Sequence, residues 1–155
     1  MNTASLNKRE LPLEDMMPVI REHLAEGSSV IISPKGVSML PMLRQGIDTV
    51  ELSPVTRKLK KYDIPLYKRA DGKYILHRIV SVRHGYTIIG DNQFVFEKGI
   101  TDAQIIAVVT SFKRGEKQYS VNNFSYKIYC RFWHYTRFLR RIFRAVKRRI
   151  KNSLK

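Results

Sequence analysis

IPLYKRADGKYILHRIVSVRHGYTIIGDN, residues 64–92, decides the architecture of this chain. Two apolar, β-branched runs, Ile64–Arg69 and Lys73–Arg83, flank Asp71-Gly72. Both turn residues tolerate positive φ, so the spacing predicts a hairpin. His84-Gly85 turns the chain again into Tyr86–Ile89, and Gly90-Asp91-Asn92 forms a third turn. Outward from this stretch the pattern continues. Ser28–Ser33 and Asp48–Ser53 read as strands upstream, and Ile105–Phe112 and Lys117–Val121, joined through Arg114-Gly115, read as strands downstream. Only residues 15–26 break the pattern before the tail. There Met16, Ile20 and Leu24 fall at helical spacing, with Asp15 as N-cap, Pro18 near the first turn and Gly27 as the stop. Short strands at this spacing imply a mainly β, antiparallel body with a short N-terminal helix and a C-terminal helix.

The chain has 155 residues and a formal net charge of +16, from 29 Lys+Arg against 13 Asp+Glu. At 43% hydrophobic it can build a core, which excludes global disorder. The single cysteine, Cys130, excludes an internal disulfide framework and a Cys-rich zinc site. No apolar stretch approaches the roughly 18–20 residues of a spanning helix. Arg9, Glu10, Glu14 and Asp15 interrupt any secretory signal. The expectation is a cytoplasmic protein, peripheral on the inner face of the membrane if its tail binds lipid.

The charge is concentrated after residue 120. Residues 121–155 carry 11 Lys and Arg and no Asp or Glu. This break divides a β domain, residues 1–120, from a basic tail, residues 121–155. Within the tail Ile128, Phe132, Tyr135, Leu139, Ile142, Val146 and Ile150 recur at steps of three or four. One amphipathic helix over 124–154 is predicted. Three roles are open to it: an anionic membrane surface, packing of the stripe on the body or a partner, and nucleic acid as a weaker third.

Three segments carry the chemistry: Gly36-Val37-Ser38-Met39-Leu40-Pro41, Tyr74–Val80 with His77-Arg78 inside it, and Ile89-Gly90-Asp91-Asn92. Each is common alone; their order and spacing are the signal. Together they resemble the signal peptidase and LexA-type repressor superfamily of serine proteases, from about Gly36 to Asn92 and more weakly to about residue 112. The resemblance implies that Ser38, in its Ser-Met-x-Pro turn, is a nucleophile. Bacterial signal peptidases carry a Lys base where this chain has His77, whereas the endoplasmic-reticulum-type enzymes carry His, so the chain looks closer to that branch. In that branch an Asp in or after the Gly-Asp segment is also needed, and Asp91 matches by position. The resemblance further implies the signal-peptidase/LexA-like β fold and a serine endopeptidase. It would cleave an extended leader- or signal-like peptide without a cofactor or metal.

The residue chemistry points the same way. A serine hydroxyl is a poor nucleophile until a base takes its proton. On a strand His77 shares a face with Ile75 and Ile79, and burial between them would keep the imidazole neutral. Asp91 would then fix the ring tautomer. Gly36 stands where many bacterial enzymes have a second Ser that helps hold the oxyanion; either that donor is lost, which predicts slow turnover or a narrow substrate range, or the glycine lets a substrate backbone approach closely. Asp48 and Asp63 read as structural, and Met39 as core packing or a substrate pocket. Two rival functions stand beside the peptidase. One is a non-catalytic β module whose basic helix binds anionic membrane or nucleic acid. The other is a self-cleaving regulator. Typical signal peptidases span the membrane with their site outside the cytoplasm, and this sequence has neither span nor export signal.

Overall fold

The computed structural model describes residues 11–153. Residues 1–10 and 154–155, which include Arg9, Glu10 and Lys155, lie outside the described residues. The chain opens with α1 (Leu13–Ala25), then β1 (Val30–Ile32), β2 (Thr49–Ser53), β3 (Pro65–Lys68), β4 (Tyr74–Leu76) and β5 (Arg78–Ser81). It continues with β6 (Tyr86–Ile89), β7 (Glu97–Ile100), β8 (Ile105–Arg114) and β9 (Lys117–Ser120), and ends with α2 (Phe124–Tyr135) and α3 (Arg137–Ser153). Every strand pair is antiparallel. The described residues are mainly antiparallel β, in two sheets, with three α-helices.

The larger sheet runs β1-β2-β8-β3-β4, with β9 added to the far half of β8. The smaller runs β5-β6-β7. The run Lys73–Arg83, predicted as one strand, divides at His77. Residues before it pair in the larger sheet, residues after it in the smaller. Beyond the break, Ile79 bonds instead with the 62–63 segment, Ile79 N to Asp63 O at 2.9 Å and Tyr62 N to Ile79 O at 2.8 Å. The joint between sheets therefore falls on a candidate catalytic residue. β7 was not predicted, because Glu97-Lys98-Gly99 breaks any apolar alternation.

Helix α1 begins two residues ahead of its predicted start. Pro12 occupies the N-cap position, and Asp15 lies in the first turn with Glu14, where a negative charge suits the helix dipole. Gly27, at φ 81°, ends the helix as predicted. Its N–H bonds to Leu24 O, and Ser28 N–H reaches back to His23 O, the paired bonds of a Schellman stop. Met17, Ile20 and Leu24 are buried in the main core with Met42, Leu52, Leu66, Val109 and Phe112. A second cluster, around Tyr67, Ile79, Tyr86 and Ile88, fills the space beside the smaller sheet.

The basic tail is two helices rather than one. The break is at Thr136, whose hydroxyl donates to Phe132 O at 2.7 Å. A threonine hydroxyl bonded back to the preceding turn competes with the helical ladder and bends it. Helix α2 is not an appendage, since Tyr126 and Cys130 join the main core. Among the described residues no helix is long and apolar enough to cross a membrane.

Candidate functional site

Ser38 lies in the irregular turn between β1 and β2. Met39, Met42 and Leu43 anchor this turn in the core, so Met39 is a packing residue that also lines the cleft described below. Leu43 N–H donates to Met39 O at 3.0 Å, and the Leu40–Pro41 peptide bond is cis. Gly36 has φ 86°, a conformation that glycine alone adopts without strain. Its N–H is taken by Gln45 Oε1 at 2.8 Å. At the end of the turn Asp48, fully buried, accepts from Arg44 at backbone N, Nε and Nη2 and from Gly115 N. The Arg44 side chain beside it outweighs burial and holds its carboxyl below the ordinary range. Asp48 fastens the turn to the β8–β9 hairpin, and Asp63 likewise fixes Arg57 and Lys60 N in its own loop.

His77 is 2% exposed. Burial pushes its imidazole below the ordinary pKa of 6.5; the Glu97 carboxylate opposes the shift, and Arg69 adds to it. The ring is thus neutral at neutral pH. Its two nitrogens face different neighbours. Nδ1 lies 3.4 Å from Glu97 Oε1, within ion-pair reach but longer than a direct hydrogen bond. Nε2 lies at Gly90, where a Cβ would stand only 3.1 Å from it and 2.6 Å from the Ser38 carbonyl oxygen. The Ser38 turn, His77 and Gly90 therefore meet at one point, and any side chain at position 90 would separate them. Glu97 is itself clamped by Arg69, Nε to Oε2 at 2.8 Å and Nη2 to Oε1 at 2.6 Å. Burial pushes its carboxyl up, but Arg69 and Tyr67 prevail and keep it below its usual value.

Asp91 takes a different partner from the one expected. Its carboxylate is fully buried and receives Arg78 in a two-point pair, Nε to Oδ1 and Nη2 to Oδ2, both at 2.8 Å. Tyr129 Oη adds a third bond to Oδ2 at 3.1 Å. The carboxylate beside the His77 ring is instead Glu97, a residue the sequence reading missed because its strand was missed. Arg78, adjacent to His77, is fully buried and also donates to Tyr126 Oη at 2.6 Å and Cys130 Sγ at 2.9 Å. The Gly90-Asp91-Asn92 turn is fixed from every side. Asn92 N donates to Ser38 O at 2.8 Å and Asn92 Nδ2 to Val37 O at 3.0 Å. Trp133 Nε1 and Arg140 Nη1 donate to Asp91 O, and Arg144 to Asn92 O and Oδ1.

Ser38 and His77 line one cleft of about 620 Å³. Its walls are largely apolar: Ile31 and Ile32 of β1, Tyr74, Ile75 and Leu76 of β4, and Met16 of α1. β1 and β4 are the two ends of the larger sheet. The sheet thus brings both of its edge strands to the cleft that holds the candidate pair. Edge strands offer unpaired N–H and C=O groups to an extended chain.

The structure thus sets the Ser38 backbone carbonyl and His77 Nε2 against the same glycine, Gly90, with both residues lining one cleft, and it assigns Asp91 to Arg78. Comparison with protein-family models, with curated proteins and with solved structures finds no match for this chain.

Proposed function

We propose that this protein is a serine endopeptidase of signal-peptidase-like type, with Ser38 as nucleophile and His77 as general base, acting on an extended leader- or signal-like peptide. The observation that carries the reading is the approach of the Ser38 turn and His77 Nε2 to Gly90, with Ser38 and His77 both lining a cleft that two edge strands also line. The Glu97 carboxylate, 3.4 Å from Nδ1, favours a proton on that nitrogen, which leaves Nε2 as the acceptor. Ser38 Oγ attacks the peptide carbonyl carbon while its proton passes to Nε2. The C–N bond then breaks, and the imidazolium returns that proton to the leaving amine. Water, deprotonated by the same nitrogen, releases the acyl group from Ser38. General-base help of this kind is worth about 10²–10⁴ in rate. Glu97 acts through His77 as a positioning residue, and Asp91 through the turn it holds.

The peptide would add to the edge of β1 or β4, its main chain paired with the sheet and its side chains in the apolar cleft. Mass spectrometry of products from a peptide library tests the reading. Wild type should give discrete cleavage products, and Ser38→Ala and His77→Ala, with unchanged circular dichroism, should give none. A wild-type protein that leaves every peptide intact, or a Ser38→Ala variant that yields the same products, would remove the hypothesis.

A further inference from the structure

The two C-terminal helices present opposite chemistry on opposite faces. Tyr126, Cys130, Trp133, Arg137, Arg140 and Arg144 recur at helical spacing along one side and make the contacts with the body. Trp133 and the two arginines Arg140 and Arg144 donate to the Gly90–Asn92 turn, and Arg137 and Arg144 lie over the Phe96 and Phe94 rings. The apolar stripe read from the sequence, Ile128 through Ile150, lies on the other side. Lys61 lies over the Tyr135 ring, and the α3 part of the stripe faces solvent. Leu139, Ile142, Val146 and Ile150 are 45–56% exposed, and Phe138 and Phe143 beside them are 70% and 74% exposed. An apolar face of this extent on a soluble surface marks an interaction site.

We infer that this outward face of α2 and α3 docks on an anionic lipid bilayer. The charge pattern selects that occupant. Helix α3 carries eight Lys or Arg in 17 residues and no acid, and by helical spacing Lys147 and Arg149, both exposed, border its apolar stripe. A second copy would set the same cations against one another. A nucleic acid would satisfy the cations but leave Phe138 and Phe143 in water. A helix lying in the interface of an anionic leaflet satisfies both, its apolar face below the headgroups and its cations among them. The arginines that grip the body are on the upper side, so docking would need no rearrangement of the contacts described.

Cosedimentation of the full chain with vesicles tests this independently of any peptidase activity. The probes are an equimolar mixture of phosphatidylcholine and phosphatidylglycerol, and phosphatidylcholine alone. The wild type should partition strongly to the mixed vesicles, weakly to the neutral ones, and less as salt rises. Phe138→Ser with Phe143→Ser, both at exposed positions, should cut partition at least tenfold with unchanged circular dichroism. Lys147→Gln and Arg149→Gln together should cut it about twenty-five-fold, near fivefold for each cation. Equal partition to neutral vesicles, or a Phe double variant that binds like wild type, would overturn the inference. So would absent vesicle binding, whether accompanied by a dimer that the Phe substitutions dissolve or by oligonucleotide binding that only the Gln substitutions abolish.

Discussion

Gly90 has a neighbour on each side that leaves no room for a methyl group. A Cβ there would lie 2.6 Å from a backbone oxygen, closer than real contacts allow, so the Ser38 turn would have to move. Gly90→Ala should therefore lower stability by about 1–3 kcal/mol, the usual cost of overpacking, as read from denaturant unfolding. On the peptidase reading it should reduce cleavage far more than that loss of folded protein explains. Glu97 gives a sharper residue-level test. Its charge raises the His77 pKa, which burial holds below 6.5. Cleavage should fail as pH drops through that lowered value, where the imidazole takes up a proton and cannot act as a base. Glu97→Gln should shift this acid limb to lower pH; a pH–rate profile with an unmoved limb would assign Glu97 a packing role alone. At this scale the turn that holds Ser38 and the strand position of His77 were legible through the order and spacing of three segments, each common alone. Glu97 was not, since its meeting with His77 depends on a pairing between β6 and β7 that no local pattern announces.

At the level of elements the turns were the most legible feature. Gly27 stops α1, Gly72 lies at φ 87° in the hairpin between β3 and β4, and His84 and Gly85 both have positive φ before β6. These positions follow from backbone sterics, which act on neighbouring residues. The division of Lys73–Arg83 at His77 and the bend at Thr136 were not legible. The first is set by what the chain packs against, β3 and the 62–63 segment; the second is a local hydroxyl bond that the apolar spacing of the tail does not reveal. The buried Arg78–Asp91 pair, which ties β5 to the Gly90 turn and α2, carries the strongest element-level prediction. Arg78→Met would leave a buried carboxylate without its partner, and such breaks cost about 3–5 kcal/mol. Thermal unfolding should show a large fall in Tm. Replacing both residues, Arg78→Met with Asp91→Leu, should recover part of it. A single variant as stable as wild type would mean the pair does not hold the turn.

For the whole molecule, pH links the site to stability. His77 and His134 are both held below the ordinary imidazole pKa, burial being the chief cause in each. The unfolded chain takes up protons at higher pH than the folded one, so stability should begin to fall as pH drops below about 6.5. Asp48 and Glu97 are held below the ordinary carboxylate range, so a second loss should follow in stronger acid as they are protonated. Denaturant midpoints across this range, with His77→Gln reducing the first loss, check the sign. The mainly antiparallel β class was readable from strand spacing alone. The curl that brings β1 and β4 to one cleft was not, since it depends on long-range pairing through β8.

The most direct test of the central pairing is a double-mutant cycle on kcat/KM for a cleaved peptide, using Ser38→Ala, His77→Ala and the two combined. Groups that act as one unit lose nearly everything at the first removal. The account predicts that the double variant is no slower than either single one. Losses that multiply, or substantial cleavage in Ser38→Ala, would contradict it.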